Sequence, residues 1–155
     1  MVKARDQQRS RVYNWQDEAV EGYYTPTMTL EESEQLVRKA ITWWFRLKNT
    51  KNARPFTMPR VIRGRNGTAA TGSSGTISLP PWAWSEGVVL HETAHCIVDR
   101  HNKRYKDGGH GPYFMRVFIE LLGHYMKLNR PELTRSAKKS KIKVHTMAKL
   151  PRPKP

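Results

Sequence analysis

Val88-Val89-Leu90-His91-Glu92-Thr93-Ala94-His95-Cys96-Ile97-Val98 is the stretch on which the reading of this chain turns. Its apolar residues recur with a helical rather than an alternating period, which predicts a helix over about Ser85 to Arg100. On such a helix, two His four residues apart stand about 40° apart around the axis and roughly 6 Å along it, so both imidazoles can reach one ion. Glu92 can lean over the open position of that ion, take a proton from water there and pass it to a leaving group. Zinc suits such a set because it binds neutral imidazole well and needs no redox chemistry. The competing account is two solvated His on an ordinary helix, and the apolar residues on both sides of the pentad weigh against it.

Outward from this helix, both flanks read as elements of one small domain. On the N-terminal side Pro80-Pro81 closes a short strand, Thr76 to Leu79; a second, Arg60 to Arg63, precedes it across Asn66-Gly67 and a Gly/Ser/Thr-rich stretch. That texture predicts two or three small antiparallel strands. Earlier still, Thr29 and Glu32 form a capping box before Val37, Ala40, Ile41, Trp44 and Phe45, a helix running to about Lys48. On the C-terminal side, polar residues 103–109 form a loop, and Pro112 opens a third helix with Phe114, Val117, Phe118, Leu121 and Leu122 on its apolar face. The expected fold is α+β, a small antiparallel sheet packed on three main helices. Residues 1–28 read as an N-terminal segment with a short packed helix near Val12, Tyr13 and Trp15, and 29–129 as the main domain. Residues 130–155, after the stop at Arg130-Pro131, read as a basic, disordered tail.

Composition narrows the classes. The 155 residues suit one domain. No apolar run approaches the roughly 18 residues of a spanning helix, and the first ten residues lack the apolar centre of a signal peptide, so a cytoplasmic, monomeric protein without membrane contact is expected. The single cysteine, Cys96, allows neither an intrachain disulfide nor a Cys-rich zinc site, and reads as a small buried hydrophobe. Any metal must therefore be held by His and carboxylates. Lys and Arg number 28 against 13 Asp and Glu, for a net charge of +15, and ten of the basic residues lie from Lys127 onward against Glu132 alone. Such a segment attracts polyanions by counterion release, and nucleic acid is the expected partner, contacted without base reading.

A catalytic zinc usually takes a third protein ligand, and geometry ranks four candidates. His101 stands ten residues after His91, but with no helix break at Val98 it would point about 80° away from it. Glu120 on the third helix reads as a solvated partner of His124. His124 would lie about 21 Å beyond His110 along a continuous helix, so those two cannot share one ion. His110, after Gly108-Gly109 and immediately before the third helix, is best placed to present an imidazole to His91 and His95. Asp99 and Asp107 are candidate partners for the ligand imidazoles, and Tyr105 and Tyr113 candidate donors to an oxyanion.

His91-Glu92-Thr93-Ala94-His95, fourteen intervening residues, and His110-Gly111-Pro112-Tyr113-Phe114 resemble the signature of the SprT-like (Spartan-type) zinc metalloproteases. The likeness runs from about Thr29 to Asn129 and takes in Gly75 to Leu79 and Val88 to Leu90. The N-terminal Arg5 to Tyr13 is similar to that of small proteins assigned as metallohydrolases in actinobacteria and their phages, for which the location would be the host cytoplasm. The resemblance implies a minimal zincin-like fold, one catalytic Zn2+ on His91, His95 and His110, and Glu92 as the catalytic residue. It also implies a protein or peptide substrate, bound as an added strand along Thr76 to Leu79. Two other classes fit the same residues: a zinc hydrolase of another amide bond, and a zinc-braced nucleic-acid-binding protein without catalysis.

Overall fold

The computed structural model describes residues 6–47, 57–100 and 109–146. His101, Tyr105 and Asp107 lie outside them, as does the end of the basic segment from Met147. The architecture is α+β. Among the described residues are five helices, α1 (Arg9–Ala19), α2 (Leu30–Leu47), α3 (Glu86–Arg100), α4 (Pro112–Tyr125) and α5 (Arg130–Lys139). Three strands, β1 (Arg60–Arg63), β2 (Thr71–Gly72) and β3 (Thr76–Leu79), form one sheet. No helix among them is long and apolar enough to cross a membrane.

The expected capping box closes α2 at its start: the Glu32 amide donates to Thr29 Oγ1 at 3.1 Å, and the Thr29 amide donates to Glu32 Oε2 at 2.7 Å. At the start of α3, Ser85 plays a comparable part. Its hydroxyl accepts from the Val88 amide and donates to the Tyr23 carbonyl oxygen, which ties α3 to the N-terminal segment.

The sheet is mixed rather than antiparallel. Its order is β1-β3-β2, with β1 parallel to β3 (Val61 beside Ile77) and β2 antiparallel to it. After the Asn66-Gly67 turn the chain does not return alongside β1; it passes to the far side and comes back as β2, so the tight hairpin is β2–β3. That placement also corrects the expected substrate edge, because Thr76–Leu79 is the central strand, hydrogen-bonded on both sides, and β2 is an edge. β2 comes so close to α3 that a Cβ on Gly72 would collide with the carbonyl oxygen of Glu92. Glycine is what lets this edge lie against the backbone of α3.

α3 is packed on α2, α4, β2 and β3. Eleven of its fifteen residues are buried, among them Val88, Leu90 and Ile97. Each such apolar side chain contributes about 1.5–3 kcal/mol relative to exposure, so the helix is fixed by the core rather than by propensity.

The short packed helix expected near Val12 and Trp15 is present as α1, and the segments before Thr29 and after Asn129 both contribute to the core. Val12, Trp15, Val20 and Tyr23 belong to the same buried core as the residues of α3 and α4, and so do Leu133, Ala137 and Ile142. Residues 130–146 are ordered structure. The Glu132 amide donates to Asn129 Oδ1 at 3.0 Å, and Pro131 lies in the first turn of α5. Arg130-Pro131 is thus a helix start, with Pro where its missing N–H costs nothing, and not a stop. α5 buries Leu133 and Ala137 and leaves Arg135, Lys138 and Lys139 exposed, so much of the basic charge is displayed on a helix. Trp15 Nε1 donates to Ser136 Oγ at 2.9 Å, joining α1 to α5.

Candidate metal centre

His91 and His95 project from consecutive turns of α3, and His110 reaches them from the turn that leads into α4. Their Nε2 atoms form a nearly equilateral triangle: 3.2 Å between His91 and His95, 3.2 Å between His91 and His110, and 3.1 Å between His95 and His110. His91 and His110 are buried and His95 is half-buried. Three imidazole nitrogens therefore lie close enough together to hold a metal ion. Phe114 forms the floor, its ring stacked on His95 at 4.4 Å between centroids and edge-on to His91 at 4.9 Å.

The partners of the outer nitrogens determine where the protons are. His91 Nδ1 donates to Gln16 Oε1 at 2.9 Å, and His110 Nδ1 donates to Asp6 Oδ2 at 2.6 Å. In a neutral imidazole with its proton on Nδ1, Nε2 carries a lone pair. Burial keeps the rings neutral. It pushes His91 well below the usual histidine range, with the neighbouring imidazoles adding to the effect, and takes His95 down to about 3. Burial also lowers His110, against the opposing hydrogen bond and charge of Asp6. The Nε2 lone pairs of His91 and His110 thus converge with Nε2 of His95. Such an arrangement is costly when empty and favourable around a positive ion.

Glu92, next to His91, is buried, and desolvation pushes its carboxyl up to about 8. Tyr23 lies close by, its ring edge-on to His91 at 6.4 Å, and burial with the neighbouring Glu92 charge raises its phenol. Tyr13 stacks on His91 at 6.0 Å with only 9° between the ring planes and stands edge-on to His110 at 5.2 Å.

The other sequence candidates sit elsewhere. Glu120 is buried in ion pairs with Arg130 at 2.9 Å and Arg116 at 3.7 Å, so it is neither solvated nor a ligand. His124 stacks on Trp43 at 4.1 Å. Asp99 accepts from the Ser74 amide at 2.8 Å and braces the β2–β3 turn rather than a ligand. Tyr113 is fully buried, with its ring against His145. Cys96 is buried, as expected of a small hydrophobe, and its thiol is pushed up to about 11.

Sequence reasoning missed Asp6, Gln8, Gln16, Tyr13 and Tyr23. A buried Gln on an amphipathic helix is one signal that could have found Gln16, since Val12, Trp15 and Gln16 share the inward face of α1. No protein-family model, curated protein or solved structure matches the chain.

Proposed function

We propose that the chain is a zinc-dependent metallopeptidase of the SprT-like kind, with one Zn2+ on His91, His95 and His110 and Glu92 as general base. The observation that carries this reading is the convergence of three imidazole Nε2 atoms, two of them from the helix that also carries the buried Glu92. Tetrahedral zinc with Zn–N bonds of about 2.0–2.1 Å places ligand nitrogens about 3.3–3.4 Å apart, close to the triangle here. Three protein ligands leave a fourth position, the arrangement of a catalytic rather than a structural zinc, and the zincin-like interpretation of the fold rests on the same site. When bound, zinc would acidify a water molecule and polarise a substrate carbonyl.

The remaining work belongs to the chain's own residues. Glu92, whose buried carboxyl has its proton affinity raised toward neutrality, takes a proton and returns it to the departing nitrogen. Tyr13 and Tyr23 wall the site on the side of His91. An extended substrate adds to β2, the edge that Gly72 brings against Glu92. The exposed Arg135, Lys138 and Lys139 of α5 supply non-specific contact with nucleic acid, which raises the local concentration of protein bound there.

The decisive experiment is Glu92→Gln, which should fold and keep zinc while proteolysis, self-cleavage included, falls by at least about 100-fold. Undiminished hydrolysis would remove Glu92 from the mechanism. A wild type that cleaves no unfolded or DNA-bound protein would favour the zinc-braced binder. For the nucleic-acid part, truncation after Thr146 removes Lys149, Arg152 and Lys154. If all three meet phosphates, the slope of log affinity against log salt on duplex DNA should lessen by about 2–3. An unchanged slope would leave the contact on α5 alone, and a wild type without measurable affinity for duplex DNA would remove the nucleic-acid part of the reading.

A further inference from the structure

We infer that the N-terminal segment is a working part of the metal centre, with Asp6 and Gln16 as positioning residues that fix the ligand imidazoles of His110 and His91. The inference rests on the metal-binding reading above and adds to it residues 104 and 75 positions away from the ligands they serve.

An unconstrained neutral imidazole exchanges its proton between two nitrogens, and one of the two tautomers would point N–H into the cluster. Asp6 removes that choice for His110, because an ionised carboxylate only accepts. Gln16 Oε1 does the same for His91 without a charge. The two partners therefore differ: Gln16 sets orientation and tautomer, whereas Asp6 also makes His110 a stronger donor to a cation. The second oxygen of Asp6, Oδ1, is buried with no hydrogen-bond partner among the described residues, so the hydrogen bonding of this carboxylate within the protein is directed at His110.

Three further contacts point the same way. A Cβ on Gly109 would stand 3.0 Å from Asp6 Oδ2, so the glycine before the third ligand makes room for the carboxylate. Gln8 Nε2 donates to the His110 carbonyl oxygen at 2.7 Å, so the main chain of that ligand is gripped two residues from the side chain that grips its ring. Gln8 also accepts from the Lys143 amide at 3.0 Å and donates to its carbonyl oxygen at 3.2 Å, which anchors the grip to the segment after α5. Buried glutamines are costly unless hydrogen-bonded. Gln8 and Gln16 both meet this requirement on the metal-site residues. α1 has its own anchorage in the core through Val12 and Trp15, so changes at residues 6 and 16 leave its packing in place.

The test uses the full chain, stripped of metal and titrated with Zn2+ against a competing chelator, and separately loaded with Co2+ for its visible ligand-field bands. Asp6→Ala and Gln16→Leu should each weaken Zn2+ binding by about 10–100-fold and shift the Co2+ bands. Asp6→Asn, which keeps an accepting oxygen but loses the charge, should restore the bands toward wild type while leaving part of the affinity loss. Arg38→Ala, which cuts only an exposed ion pair with Glu34 on α2, should change neither. Far-UV circular dichroism checks each fold; if Asp6→Ala does not fold, Asp6→Asn and Gln16→Leu carry the test. Zn2+ binding within about 2-fold of wild type and unshifted Co2+ bands in the folded variants would overturn the inference and leave the metal site standing. A wild type that binds neither metal would overturn both.

Discussion

α3 and α1 meet at the same three imidazoles but arrive there by different routes. α3 brings His91, Glu92 and His95 together through one turn of backbone, so their proximity is a property of the helix itself. The N-terminal segment brings Asp6, Gln8 and Gln16 to that place only because the whole fold closes around it, with Trp15 hydrogen-bonded to Ser136 on α5. Two of the three imidazoles that would touch a metal are neighbours on one helix and the third follows 15 residues after His95, whereas the groups that orient them lie 75 and 104 residues away. A local pair survives as long as its helix does, whereas a long-range grip depends on every contact that positions it.

That contrast can be broken most directly on metal affinity. His95→Ala should weaken Zn2+ binding by more than the about 10–100-fold cost of losing an outer partner, as read by chelator competition. Equal losses in His95→Ala and Asp6→Ala would erase the distinction between the two regions. Truncation after Asn129 tests the dependence on closure. It removes the buried Leu133, Ala137 and Ile142 and should abolish cooperative unfolding, whereas a chain ending at Thr146 should melt as a single unit. On a smaller scale, Leu133→Ala should cost about 2–5 kcal/mol in denaturant unfolding.

Acid sharpens the comparison from the other side. The three imidazoles have folded-state affinities for protons lowered from 6.5, His95 to about 3. Above about pH 6.5 folded and unfolded chains are both neutral at these sites. Below it the unfolded chain takes up protons that the folded one refuses, so apo-protein stability should fall with pH. The slope reaches about 1.4 kcal/mol per pH unit for each imidazole that stays neutral, and for His95 the loss continues down to about pH 3. Denaturant midpoints for metal-free wild type and His95→Ala at pH 7 and pH 5 would measure it; identical pH dependence in the two would contradict the assignment. The smallest effect is expected far from the site, where Thr29→Ala should remove the α2 cap at a cost of about 1 kcal/mol and leave metal binding as it was.

The same distinction explains what the amino-acid sequence discloses. α2, α3 and α4 were legible because a capping box, a four-residue His spacing and a first-turn proline act within a few residues. β1 and β3 were legible as strands, but not their pairing, since parallel alignment depends on the path of residues 64–75 around β3. α5 was misread because Lys and Arg dominate it, and Leu133, Ala137 and Ile142 become a core face only when α1 and α4 are there to receive them. His110 could be chosen from its loop and helix start. Its partner Asp6 could not, because nothing near either residue records the other.

The double hold of Gln8 on His110 and on Lys143 has a consequence for when the site comes into being. On the ribosome a chain emerges N-terminus first, and at about 5–20 residues per second the roughly 33 residues from His110 to Lys143 take about 2–7 s to add. Throughout that interval the imidazoles can already exist on a growing polypeptide whose brace is not yet made. The anchored grip on the third imidazole therefore closes only once Lys143 has been added and has reached Gln8, so the site is completed well after its own imidazoles have been synthesised.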